Sequence, residues 1–212
     1  MFYIEQPEKA LRFGDVISGF VSSVPNMNEP AIDHKHVEYK LELSMPEFCV
    51  VLSPCCSIGE STITLAPLQN VINSFFKNPY FSEDLTRINR PVSPESSVST
   101  EDWEQFSEDE KLKRLKEGYA YVSVEYFIYA EHELLPKYKV KLRGNVIETG
   151  YYMIDFRKSF RVSCPGVRSA KEHPVEGKYL QLTIEARQQL RNKVSKYYLR
   201  VPQEDANELQ AA

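Results

Sequence analysis

FCVVLSPCCSIGESTITLAPL, residues 48–68, decides the fold class. Phe48 to Ser53 is a continuous apolar run, which reads as a central strand covered on both faces. Pro54 ends it, Gly59-Glu60 turns the chain, Thr62 to Leu65 makes the next strand and Pro67 stops it. Two apolar strands joined by a short polar turn predict adjacent antiparallel partners. Val50, Val51, Leu52, Ile63 and Leu65 should then sit at the centre of the core.

Outward from that pair, strand signals recur on both sides. Gly14-Asp15 opens VISGFVSSV, Val16 to Val24, and Val37 to Leu43 alternates apolar and polar residues. On the C-terminal side, Tyr119 to Tyr129 and Lys137 to Leu142 read as strands, the second with the charge alternation of an exposed edge. Tyr151 to Ser163 fits one bent strand or two short ones. Between them, Pro67 to Phe76 reads as a helix begun by its proline. Three prolines and a run of serines follow in residues 78–100, so residues 82–100 are expected to be a mobile loop. Thr100 can cap a helix, and Ser107 with Glu110 offers a capping box inside the same acidic-then-basic stretch. Thr183 caps a last helix, on which Ala186, Leu190, Val194 and Tyr197 share a face.

The expected class is therefore β-rich α+β, one domain over residues 1–212. A first sheet region occupies 13–68, a helical and loop insertion 69–118, and further strands with the C-terminal helix 119–200. Thirteen Tyr and eleven Phe against only eight Gly favour strands over loose linkers. No apolar run approaches the roughly 20 residues that span a bilayer. The opening MFYIEQPEKALRFGD has acidic residues and no long apolar core, so it does not read as a secretory signal. Four cysteines in such a chain read as reduced thiols, and a cytoplasmic location is expected, without a membrane partner.

Charge is unevenly spread. The net charge is −4, yet residues 136–200 carry fifteen Lys/Arg against five Asp/Glu. Such asymmetry fits a nucleic acid, an acidic protein surface, or attraction between the two halves. The candidate binding residues are Arg187, Arg191, Lys193, Lys196 and Arg200 on the C-terminal helix, with Arg157 and Arg161 in FRKSFRVS. Lys139 and Lys141 are expected to lie near them.

Few residues point to chemistry. Cys49, Cys55 and Cys56 cluster at one strand end, but CxxxxxCC lacks the chelating turn of a CxxC pair, so no metal is expected. Cys55 and Cys56 are nevertheless a possible thiol site, since they follow a buried strand. His34 and His36 fall in a polar loop and read as solvated. No phosphate loop, no GxSxG and no HExxH occurs, and neither a catalytic residue nor a cofactor is expected.

The order GDVI, CVVLS, ITLAPL, then YMIDFRKSFRVS before a helix opening at Thr183, resembles the PemK/MazF family of plasmid-maintenance toxins. The likeness covers residues 13–68 and, more loosely, 150–198. It implies a small barrel related to Src-homology-3 domains, with 69–135 as an insertion. The toxins are ribonucleases carrying Arg-Pro before the "VLS" strand and Thr or Ser after the "PL" end. Here Phe48-Cys49 and Gln69 hold those places. The resemblance thus implies the barrel without the nuclease, as in accessory proteins of prokaryotic defence or CRISPR-linked operons. The expected function is a non-enzymatic adaptor that binds a protein. The alternative is a nucleic-acid-binding or diverged ribonuclease-like protein.

Overall fold

The computed structural model describes residues 1–27, 39–58, 62–77, 81, 84–90, 96–98, 100–117, 120–121, 123–142, 144–163 and 177–199. In chain order its strands are β1 Val16–Ser18, β2 Ser22–Met27, β3 Tyr39–Ser44, β4 Phe48–Val51, β5 Thr62–Pro67, β6 Gln69–Asn70, β7 Ser97–Val98, β8 Ala120–Tyr121, β9 Tyr126–Tyr129, β10 Tyr138–Leu142, β11 Asn145–Thr149, β12 Tyr152–Asp155, β13 Phe160–Ser163 and β14 Lys178–Leu180. The helices are α1 Asn73–Phe76, α2 Thr100–Gln105, α3 Glu108–Lys116 and α4 Ile184–Tyr198. The protein is thus β-rich α+β with antiparallel sheets and a C-terminal helix. It divides into two compact units, one of residues 6–69 with 159–181, the other of 1–5, 70–158 and 182–212.

In the first unit five strands run in the order β13-β5-β4-β1-β14, every neighbouring pair antiparallel. Of the expected run 48–53, residues 48–51 form the central strand β4 and all four are buried, whereas Leu52, expected at the centre of the core, lies past the strand and is half-buried. Val50 lies opposite Val16 on one side and Ala66 on the other, while Val51 faces Leu65. Cys49, Val51, Ile17, Ile63, Leu65, Leu11 and Ile58 form one apolar cluster. The end strands β13 and β14 are not hydrogen-bonded to each other, so the sheet is not a closed barrel among the described residues.

The stretch expected as one strand, 16–24, is broken. Gly19 approaches the backbone so closely that a Cβ there would lie 1.5 Å from the Pro46 carbonyl oxygen, and its N–H donates to Glu47 O at 2.8 Å. The chain leaves β1 at this contact and re-forms as β2, which pairs with β3 in a separate two-stranded ribbon.

A buried ion pair ties this unit's first segment to its last strand. Lys178 Nζ donates to Asp15 Oδ2 at 2.7 Å, Ala10 O at 2.8 Å and Gln181 Oε1 at 2.8 Å, which uses all three ammonium donors. Asp15 also accepts from Arg12 N at 2.7 Å. A pair so placed is costly to break because either partner alone would be a buried charge. The Asp of the GD sequence is therefore accounted for by packing.

The second unit is built around β9 and β12, paired antiparallel with Tyr152 opposite Tyr129 and Asp155 opposite Tyr126. Its core includes Val71, Phe75, Phe76, Phe81, Leu85, Ile88, Trp103, Leu115, Ile128 and Met153. Two expectations are corrected here. The helix over 67–76 shrinks to the four residues of α1, because Thr62–Pro67 and Gln69–Asn70 are strands. Residues 84–90, expected within a mobile loop, are docked: Leu85–Asn89 is a 3-10 turn with Leu85, Ile88 and Asn89 buried. The Asn89 amide mimics a neighbouring strand, donating to Ile128 O at 2.5 Å and accepting from Ile128 N at 2.8 Å, so the buried β9 backbone stays satisfied. In the same expected loop Ser97–Val98 is β7, paired in parallel with β8, and Thr100 opens α2; its residues 82–83, 91–95 and 99 lie outside the described set.

Other expectations are met. The Ser107–Glu110 capping box forms at α3 and separates it from α2. The segment 150–163 is two short strands, β12 and β13, with a 3-10 turn between. Thr183 caps α4, its Oγ1 accepting from Ala186 N at 3.3 Å. The sequence reading missed β11, which pairs with β10 as a ribbon.

Candidate interaction surfaces

The basic helix face is smaller than its sequence implies. Ala186 and Leu190 point inward as expected, but Lys193 joins them and is only 8% exposed, a correction to its place on an exposed stripe. Its ammonium donates to Ser123 O at 3.0 Å and Tyr126 O at 2.9 Å. Burial pushes its pKa down to about 7, against the pull of Glu125, and Lys196 lowers it further. Arg187 is half-buried and donates to Leu182 O at 3.1 Å. Arg191 and Lys196 are exposed, while Arg200 and His34, His36, His173 and Cys164 lie outside the described residues.

Arg157 is bound on its own unit. It makes hydrogen bonds of 2.8 and 2.7 Å to the buried Asp155 carboxylate and one of 2.6 Å to Tyr126 Oη. Its guanidinium lies 5.2 Å over the Tyr126 ring. The Asp155 hydrogen bonds hold its pKa above the ordinary arginine range. Arg161 is exposed on β13, in the other unit, opposite Thr64. On β10, Lys139 faces Glu148 across the ribbon, which neutralises part of that cationic edge.

The sequence reading passed over the β2–β3 ribbon. Its register sets Leu41 opposite Pro25 and Leu43 opposite Ser23, so alternation puts Leu41 and Leu43 on one face. Leu41 is 62% exposed, Leu43 68% and Met45, next along the chain, 81%. The detectable signal was the alternation in YKLELS. Alternation marks one apolar face of the strand, and the structure leaves that face in solvent.

The cysteines separate by environment. Cys49 is buried in β4, and desolvation pushes its thiol up. Cys55 is half-buried and Cys56 exposed, both in a turn after the strand and not on extended chain. The Arg12 guanidinium, held by Glu8 Oε2 at 2.9 and 2.7 Å, lies beside Cys55. Its pKa is raised, mainly by Glu8 and in smaller part by that thiol. Among the described residues, no group of three or more His, Cys, Asp or Glu is placed to hold a metal. None of the described helices is long and apolar enough to cross a membrane.

Comparison with protein-family models, with curated proteins and with solved structures returns no match for the chain.

Proposed function

We propose that the protein is a non-enzymatic adaptor that binds a protein partner through the β2–β3 ribbon. The observation that carries this reading is the row Leu41, Leu43 and Met45, each more than half exposed. A contiguous exposed apolar row, unlike singly scattered residues, is a feature of interaction sites. Among the described residues the ribbon has only two strands, and a sheet edge is a place where an extended segment can add.

We further propose that the five-stranded sheet is an opened form of the small barrel suggested by the resemblance. Its last strand pairs with its first, followed by the second, third and fourth strands of that sheet, which supports a meander of the Src-homology-3 kind. The setting we propose from the same resemblance is a prokaryotic defence or regulatory system in the cytoplasm.

Affinity capture from the native host, quantified by mass spectrometry, tests the adaptor reading. One stoichiometric protein should be retained by the parent and lost from a Leu41→Lys/Leu43→Lys variant whose Tm is unchanged. The rival reading predicts RNA or DNA binding through Arg191 and Lys196, with affinity falling steeply as salt rises. Sub-micromolar binding of short RNA at physiological salt, abolished by Arg191→Glu/Lys196→Glu, would overturn the adaptor reading.

A further inference from the structure

We propose that Cys55 and Cys56 form a thiol-modification site that reacts with small disulfides and closes reversibly into a disulfide between the two neighbouring residues. Ser57 N donates to Pro54 O at 2.9 Å, so the two cysteines occupy the two corner positions of a β-turn. Both ends of this turn are anchored. Before it, Leu52 N donates to Thr64 O at 2.8 Å and Ser53 Oγ accepts from Thr64 N at 2.8 Å. After it, Ile58 is buried in the apolar cluster. The turn thus presents two thiols from a fixed base, one exposed and one half-buried beside the Arg12 cation. Cys49, six residues earlier and buried in the sheet, is shielded from the same reagents.

The exposed thiol reacts first. The Cys56 thiolate attacks one sulfur of a small disulfide RSSR, the S–S bond breaks, and RS⁻ leaves and takes up the proton that Cys56 released to solvent. The Cys55 thiolate then attacks the Cys56 sulfur and expels the second RS⁻, which is protonated likewise. Two protein thiols are oxidised and one RSSR is reduced to two RSH, so the exchange needs no other oxidant. Arg12 places positive charge where the Cys55 thiolate must form, and we assign it as a positioning residue for the second step. Consecutive Cα atoms are about 3.8 Å apart, below the roughly 4.4–6.8 Å that disulfides usually span. The closed form is therefore strained and readily reduced, as labile regulatory disulfides are. This inference does not depend on the adaptor reading, since neither cysteine lies in the ribbon.

Oxidised glutathione provides the probe. The full chain is incubated with it without air, quenched by alkylation, and followed by intact mass and peptide mapping. Expected is a transient glutathione adduct on Cys56, then loss of two hydrogens from the peptide carrying both cysteines, restored by a mild dithiol. Cys55→Ser should stop at the adduct with an unchanged Tm. Arg12→Gln should slow release of the second glutathione severalfold while leaving the first step unaltered, a split that a merely structural role would not produce. A Cys55/Cys56 peptide that stays reduced would overturn the proposal. So would oxidation that maps to Cys164 or to a bond between two chains.

Discussion

At the scale of single residues, burial decides more than type. Lys193 keeps its amine in the interior by donating to two carbonyls, a need that a neutral amine with two N–H groups meets. Its pKa in the fold, about 7, lies below the ordinary 10.5. Between those values the unfolded chain binds a proton that the native state does not, so stability rises with pH across that window. Stability is lost as pH falls towards 7, and below it the native state bears the whole penalty, on the order of 5 kcal/mol. Lys193→Met removes this penalty but leaves two carbonyls without their donor, at about 1–3 kcal/mol. The variant's Tm relative to the parent should therefore be highest near pH 6–7 and fall steadily towards pH 10. A difference constant with pH, measured by scanning fluorimetry, would show that the amine does not titrate as its burial dictates. Val51, fully buried in β4, gives a plainer test. Val51→Asp should cost about 3 kcal/mol or more, because a carboxylate there has no partner. A melting curve like the parent's would count against β4 as the central strand.

At the scale of elements, local chemistry sets where helices begin. Ser107 donates its N–H to Glu110 Oε2 at 2.9 Å and accepts from Glu110 N at 3.3 Å, which satisfies two orphan groups of α3. Those Ser107 hydrogen bonds, first the backbone and then the hydroxyl, hold the Glu110 carboxyl below its ordinary 4.5. Their contribution is present above that value and is lost as pH falls through the lowered pKa. Ser107→Ala should reduce stability by about 1 kcal/mol, read as a lower urea midpoint with an unchanged slope. The same change should have less effect in strong acid, where Glu110 is already protonated. The β2–β3 ribbon shows the opposite case. Its strands form, but the destination of their apolar face depends on what packs there, and the structure leaves it open.

At the scale of the molecule, part of the charge asymmetry of the sequence is consumed at home. Lys178 is paired with Asp15, Arg157 with Asp155, and Lys193 is buried. Among the described residues of the helix stripe, Arg191 and Lys196 are exposed, and two cations alone release too few counterions to hold a nucleic acid at physiological salt. Filter binding of a short RNA should accordingly be weak at physiological salt, whereas capture of a protein partner should survive Arg191→Glu/Lys196→Glu. Loss of that partner from the charge variant, with Leu41→Lys/Leu43→Lys still bound, would move the interface from the ribbon to the helix.

What the sequence by itself determined was local: the buried β4 run, the β4–β5 pairing, the edge character of Lys137 to Leu142, the Ser107–Glu110 box and the Thr183 cap. Each rests on side-chain spacing or on hydrogen bonds within a few residues, which a single chain segment carries whole. Tertiary structure decided the rest. The break at Gly19 needs the Pro46 carbonyl from another segment. The docking of Leu85–Asn89 needs the β9 backbone, which accepts from and donates to Asn89 across 39 positions of chain. Lys193 reads as a surface cation because its burial depends on carbonyls at Ser123 and Tyr126, and the exposure of Leu41 and Leu43 is not legible because alternation records a face and not what covers it. Those outcomes are settled by partners distant in sequence, and no local pattern holds that information.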